Sequence, residues 1–204
     1  MRFHPERHHR RSIRLKGYDY RQAGAYFVTV CTQDRSFLFG EMVHGEMRLN
    51  DAGKMVYDVW NDLPAFYPGV QTDAFIVMPN HIHGIIILVG ADPRVCPGQS
   101  QGVARTMGLP DVVHRFKTMT TKRYADGVKR LGWEPFRGRL WQRNYYEHII
   151  RNEEFLNRIR EYILTNPMRW ALDRENPHRV GMDEFDTWLD SVGKESNGEP
   201  NARR

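Results

Sequence analysis

Apolar positions along the chain recur with two different periods. Ala25-Tyr26-Phe27-Val28-Thr29-Val30-Cys31-Thr32 is rich in β-branched and aromatic residues and reads as a strand. Gly40 to Asn50 carries alternating patches around Gly45 and predicts a small hairpin. From Asn50 the period changes: Met55, Val56, Val59, Trp60 and Leu63 fall at helical spacing, with Asn50 or Asp51 as cap and Pro64 and Pro68 as stops. Ala74 to Met78 is a short apolar strand, Pro79-Asn80 a turn, and His81 to Leu88 a near-continuous branched run suited to a central strand covered on both faces. The stretch 90–110, rich in Gly, Pro, Gln and Ser, predicts a flexible loop. Val112, Val113, Phe116, Met119 and Tyr124 predict a second helix with a basic outer face, and 126–139 a Gly/Arg-rich connection. Leu140 to Ile150 reads as a fourth strand. Asn152 opens a third helix, with Phe155, Leu156, Ile159, Tyr162 and Ile163 inward and Pro167 as its stop. Strand, helix, hairpin, helix, strand, helix is an α+β order, solved by an antiparallel or mixed sheet with helices on one face.

Composition narrows the class. The chain has 204 residues, 40% hydrophobic and 27% charged, which is enough for one globular domain with appendages and unlike a disordered chain. No apolar run approaches the ~20 residues of a bilayer span, and the first residues have no apolar core of a secretory signal. Two cysteines, Cys31 and Cys96, fit neither a disulfide framework nor a zinc ribbon, so a reducing cytoplasm is expected. The net charge of +5 is unevenly spread. Residues 1–21 and 111–130 are basic, and Asp183 to Glu199 is acidic. That segregation suits a polyanion-binding face as well as ordinary solvated surfaces.

Two patterns carry candidate chemistry. His81 and His83 alternate on a strand, so they share a face about 6–7 Å apart and can converge on one divalent ion. Tyr162 and Asn166 lie four apart on one helix face, offering a nucleophile and an amide oxygen. Each pattern alone also fits a bland role: half-buried histidines, a core tyrosine, and a C-cap ahead of Pro167.

Taken together, MPNHIHGIII and, some sixty residues on, LWQRNYYEHIIRNEEFLNRIREYILTNPMRW resemble the IS200-like single-tyrosine transposases of the HUH endonuclease class, and within them the REP-associated tyrosine transposases. The likeness runs from about Tyr26 to Trp170. It implies a ferredoxin-like antiparallel sheet with helices packed mainly on one face. It implies that His81 and His83 are the HUH pair, Tyr162 the catalytic tyrosine, and Asn166 the third metal ligand where the IS200 branch commonly has Gln. Trp141, Gln142, Glu147, His148 and Arg151 match the family's W-Q…E-H-x-x-R stretch without an assigned role.

The implied activity is a single-stranded DNA endonuclease and strand transferase that forms a 5′-phosphotyrosyl intermediate on REP-type or transposon-end hairpins, with Mg²⁺ or Mn²⁺. Arg115, Lys117, Lys122 and Arg123 on the basic helix, with Arg137, Arg139 and Arg143, are the DNA-binding candidates, and Trp141, Tyr145 and Tyr146 the stacking ones. Residues 1–22 form the basic arm, 23–170 the catalytic domain, and 171–204 an acidic, partly disordered extension. A homodimer sharing active sites and a monomer completing its own both remain open. Two other readings compete: a non-catalytic single-strand-binding module, and a metal-dependent phosphodiesterase using water.

Overall fold

The computed structural model describes residues 15, 17–89 and 107–196. Most of the basic arm, Cys96, most of the 90–110 stretch and residues 197–204 lie outside the described residues. The order is β1 (Gly24–Cys31), a hairpin of β2 (Gly40–Val43) and β3 (Glu46–Leu49), α1 (Asp51–Phe66), β4 (Val70–Val77), β5 (His81–Leu88), α2 (Leu109–Leu131), β6 (Tyr146–Ile150), α3 (Glu153–Thr165) and α4 (Glu184–Ser196). The four long-range strands pair antiparallel in the order β4-β5-β1-β6. With α1 and α2 as crossovers this is the ferredoxin-like α+β arrangement expected from the sequence.

Local chemistry explains the boundaries. Asn50 caps α1 by accepting from the Gly53 N–H at 2.8 Å, and Asn152 caps α3 by accepting from Phe155 N–H at 2.8 Å. α1 runs through Pro64 to Phe66 before it stops, because the lost amide removes one hydrogen bond while Trp60 and Leu63 stay buried. The predicted fourth strand begins at Tyr146 rather than Leu140: upstream of it only Trp141 bridges, to Thr32, and the Trp141 indole N–H turns inward to Thr120 Oγ1 at 2.8 Å.

Strand alternation divides the core between the two faces. Tyr26, Val28, Val30, Ile82 and Ile86 point to the larger cluster, which α1 and α2 close with Val56, Trp60, Leu63, Val113 and Phe116. Gly84 sits there because Trp60 lies over it: a Cβ would come 2.4 Å from the Trp60 ring. Phe27 and Ile85 point the other way, to a smaller cluster closed by α3 and α4 through Phe155, Ile159, Tyr162, Phe185 and Leu189. His81 and His83 share the parity of Ile85 and lie on this second face.

Candidate active site

Register places the site. Across the sheet, Tyr146 faces Thr29, Thr29 faces His83, and His83 faces Ile76, forming one row. His83 Nδ1 therefore lies 2.8 Å from Thr29 Oγ1. One pleat away, His81 Nδ1 lies 2.8 Å from Asn80 Oδ1. The Asn80 amide nitrogen donates to the carbonyls of Glu175 (2.8 Å) and Arg35 (3.3 Å), so only its oxygen is left for His81. His81 Nδ1 must then carry the proton, and its Nε2 presents a lone pair. Burial pushes His81 down to about 3, so the imidazole is neutral at ordinary pH.

The two Nε2 atoms are 3.0 Å apart, and Asp173 Oδ2 is 3.7 Å from each. All three residues are buried, and their ligand atoms lie within 4.8 Å of one another. Asn166 is beside them, but its amide nitrogen is the group that faces Asp173, donating to Oδ2 at 2.8 Å, while its Oδ1 is buried without a hydrogen-bond partner. Asp173 Oδ1 accepts from the Glu175 N–H at 2.7 Å. Burial would raise the Asp173 carboxyl, but the imidazoles and the Asn166 amide outweigh it and hold the acid below the usual carboxylate range. A bare imidazole nitrogen, an anionic oxygen and an unpaired amide oxygen, all buried, are groups that could hold a divalent cation. Beside Asn166, the oxygen ligand expected from the sequence, stands a candidate that sequence reading missed, Asp173. Its only signal was an acid seven residues after Asn166, in a stretch read as an acidic, partly disordered extension.

Tyr162 comes from α3 onto the same face. Its hydroxyl is 3.5 Å from His83 Nε2, within one chain. The phenol is 3% exposed because α4 covers it: the Phe185 ring stacks on it at 3.7 Å between centroids, 9° from parallel. Burial, with Asp173, Asp186 and Asp183 nearby, raises its pKa well above the ordinary tyrosine value. The cavity at the phenol holds about 20 Å³, room for one water molecule and too little for a phosphodiester.

The expected DNA contacts divide. Arg137, Arg139 and Arg143 line one open cleft of about 670 Å³ with Gln33, Asp34, Gln142, Asn144 and Tyr146. Tyr146 also lines the cavity at Tyr162, so the cleft and the phenol adjoin. Arg115, Lys122 and Arg123 sit on α2, across the sheet from the histidines, and Arg123 faces Asp62 at 3.8 Å. Lys117 Nζ donates to the carbonyls of Gln142 (2.9 Å), Arg143 (3.4 Å) and Asn144 (2.9 Å), so it fixes the cleft wall. Of the three aromatic candidates, Trp141 and Tyr145 are buried in the larger core and Tyr146 is exposed. No helix among the described residues is long and apolar enough to cross a membrane.

No family model matches the chain. An uncharacterized protein of Haemophilus influenzae is 43% identical over 176 residues, covering 82% of this chain and 93% of that one. A second protein of that organism, assigned as a REP-associated tyrosine transposase, is 26% identical over 74% of each chain. Among solved structures, a REP-associated tyrosine transposase bound to a REP hairpin aligns with a TM-score of 0.47 at 21% identity, over 75% of this chain and 72% of that one. A Deinococcus radiodurans protein assigned as a transposase aligns with a TM-score of 0.41 at 22% identity, over 73% and 93%.

Proposed function

We propose that this chain, which belongs to one family with its uncharacterized Haemophilus influenzae relative and resembles the REP-associated tyrosine transposases, is a metal-dependent single-stranded DNA endonuclease and strand transferase. The observation that carries this reading is the meeting of Tyr162 Oη with the His81, His83 and Asp173 ligand atoms on one face of one chain. The substrate that fits is single-stranded or hairpin DNA, by analogy with the hairpin-bound relative.

His81, His83 and Asp173, with Asn166 beside them, would hold Mn²⁺ or Mg²⁺, and two imidazoles favour Mn²⁺ on affinity. When bound, such an ion polarises a non-bridging phosphate oxygen and offsets charge in the transition state. Asn80 and Thr29 orient the imidazoles, and the apolar wall of Phe27 and Phe185 excludes water that would compete as nucleophile. Tyr162 Oη attacks phosphorus. A phenol-oxygen-to-phosphorus bond forms, the bond to the 3′ oxygen breaks, and that oxygen takes a proton to leave as a 3′ hydroxyl. The phenol gives up its own proton, which its burial otherwise holds on. The ester energy stays in the phosphotyrosyl link, so strand transfer by the reverse attack needs no nucleotide.

Incubating the protein with 5′- and 3′-labelled hairpin DNA carrying single-stranded flanks and Mn²⁺ tests this. A covalent adduct that survives denaturing gels, carries the label 3′ to the cut, and disappears in Tyr162→Phe is expected. Cleavage without an adduct would favour the water-using phosphodiesterase, and an undiminished adduct in Tyr162→Phe would displace Tyr162 as nucleophile.

A further inference from the structure

The cleft beside the active site is built from two kinds of group that a phosphate-tracking groove does not need together. Arg137, Arg139 and Arg143 are exposed and suit phosphates. Asp34 is a carboxylate among them. Among the described residues it forms no ion pair with these arginines; the Gln33 amide donates to its Oδ1 at 2.8 Å. A carboxylate repels phosphate and accepts from bases.

The backbone holds this acid deliberately. Asp34 (φ 57°) and Arg35 (φ 54°) are consecutive non-glycine residues in the left-handed region, which costs about 1–2 kcal/mol each. Arg35 is anchored by its 3.0 Å ion pair to buried Glu175, and Gln33 N–H by the Leu140 carbonyl at 2.8 Å. The opposite wall is fixed by Lys117 across three carbonyls. The volume of about 670 Å³ lies within the ~300–1,000 Å³ range of small-molecule sites. Tyr146, 42% exposed, lines this cleft and ends the row that runs through Thr29 to His83.

We propose that the cleft receives one unpaired guanine nucleotide next to the cleavage point, with the Asp34 carboxylate reading its Watson–Crick edge, Tyr146 stacking on its ring, and Arg137, Arg139 and Arg143 holding the flanking phosphates. Guanine is the base whose edge offers two adjacent donors, the ring N1–H and the exocyclic 2-amino group, to match two carboxylate oxygens. Thymine presents one donor between two carbonyls, which the carboxylate repels. The inference rests on the single-stranded DNA reading above, and it assigns specificity to a turn between β1 and β2 that carries none of the catalytic groups.

The test is binding, without cleavage. Fluorescence anisotropy of the full chain, in EDTA, is read with hairpins whose single-stranded flank carries guanine, inosine, adenine, cytosine or thymine at each position in turn. One position is expected to prefer guanine over inosine, which lacks the 2-amino group, by about tenfold. Asp34→Asn keeps the turn, since Asn tolerates left-handed backbone, and is expected to abolish that preference, so that guanine and inosine bind alike. Arg139→Gln is expected to weaken all sequences equally and reduce the salt slope by about 1. Equal binding of guanine and inosine by the wild type at every position, or an unchanged preference in Asp34→Asn, overturns the proposal. Because the readout is binding, guanine selectivity without any covalent adduct would sink the nuclease reading and leave the cleft standing; adducts formed on all sequences alike would do the reverse.

Discussion

Asp173→Asn is the sharpest probe of the site, because it changes one oxygen to nitrogen and removes one charge. In the wild type Oδ2 accepts from the Asn166 amide and Oδ1 from the Glu175 N–H, and Oδ2 sits 3.7 Å from both imidazole nitrogens. With Oδ1 kept for Glu175, the new amide nitrogen faces the Asn166 nitrogen, donor against donor. One charge-assisted hydrogen bond is lost, and a buried donor is left unmade, a cost of about 2–4 kcal/mol in stability. The cation site loses its one anionic ligand. Two unit charges about 4 Å apart at an effective dielectric near 20 interact by about 4 kcal/mol, and a divalent ion doubles that; rotation of the neutral amide and solvent screening would recover much of it. The expected result is a Mn²⁺ affinity down by about 10² at pH 7.5, read by electron paramagnetic resonance of free Mn²⁺, with circular dichroism verifying the fold. Asn166→Ala serves as the comparison and is expected to cost less, since it removes a donor to Asp173 and one neutral oxygen but no charge. Undiminished Mn²⁺ binding in Asp173→Asn, or a larger loss in Asn166→Ala, would refute the assignment of Asp173 and leave Asn166 as the oxygen ligand.

Other residues give separable outcomes. Asn80→Ala releases the His81 tautomer without touching a ligand atom, so metal affinity is expected to fall about 10- to 100-fold in titration calorimetry, with rescue by no exogenous imidazole. Phe185→Ala removes the ring stacked on Tyr162; the protein is expected to lose about 3–5 kcal/mol in urea unfolding yet form its DNA adduct faster, as the covering helix loosens, and a slower adduct would mean the stack positions the phenol instead. Burial pushes His148 down to about 4. A depressed histidine binds fewer protons folded than unfolded, so stability is full above about pH 6.5 and is lost as pH falls toward 4. His148→Gln is expected to flatten the melting temperature profile across that window, and a parallel slope in both proteins would locate the acid sensitivity elsewhere.

Local pattern alone set most of the frame and part of the candidate site. Periods of two and of 3.6 residues are local properties, so β1, β5, α1 and α3 were legible, as were the caps Asn50 and Asn152. The His81/His83 pair and the Tyr162 face follow from the same arithmetic, which fixes what shares a side within one element. What no single element contains had to come from tertiary structure. Alternation does not say which face of the sheet α2 covers, and it covers the face away from the histidines, leaving Arg115, Lys122 and Arg123 apart from the cleft that holds Arg137, Arg139 and Arg143. Nor does a short acidic stretch reveal that its backbone turns back: Asp173 and Phe185 reach the site because the chain after α3 folds onto the second face, where burying Phe185 and Leu189 covers apolar surface that the sheet and α3 leave open. Elements are written in neighbouring residues, while a site is written in distances between residues far apart in sequence, and only packing sets those.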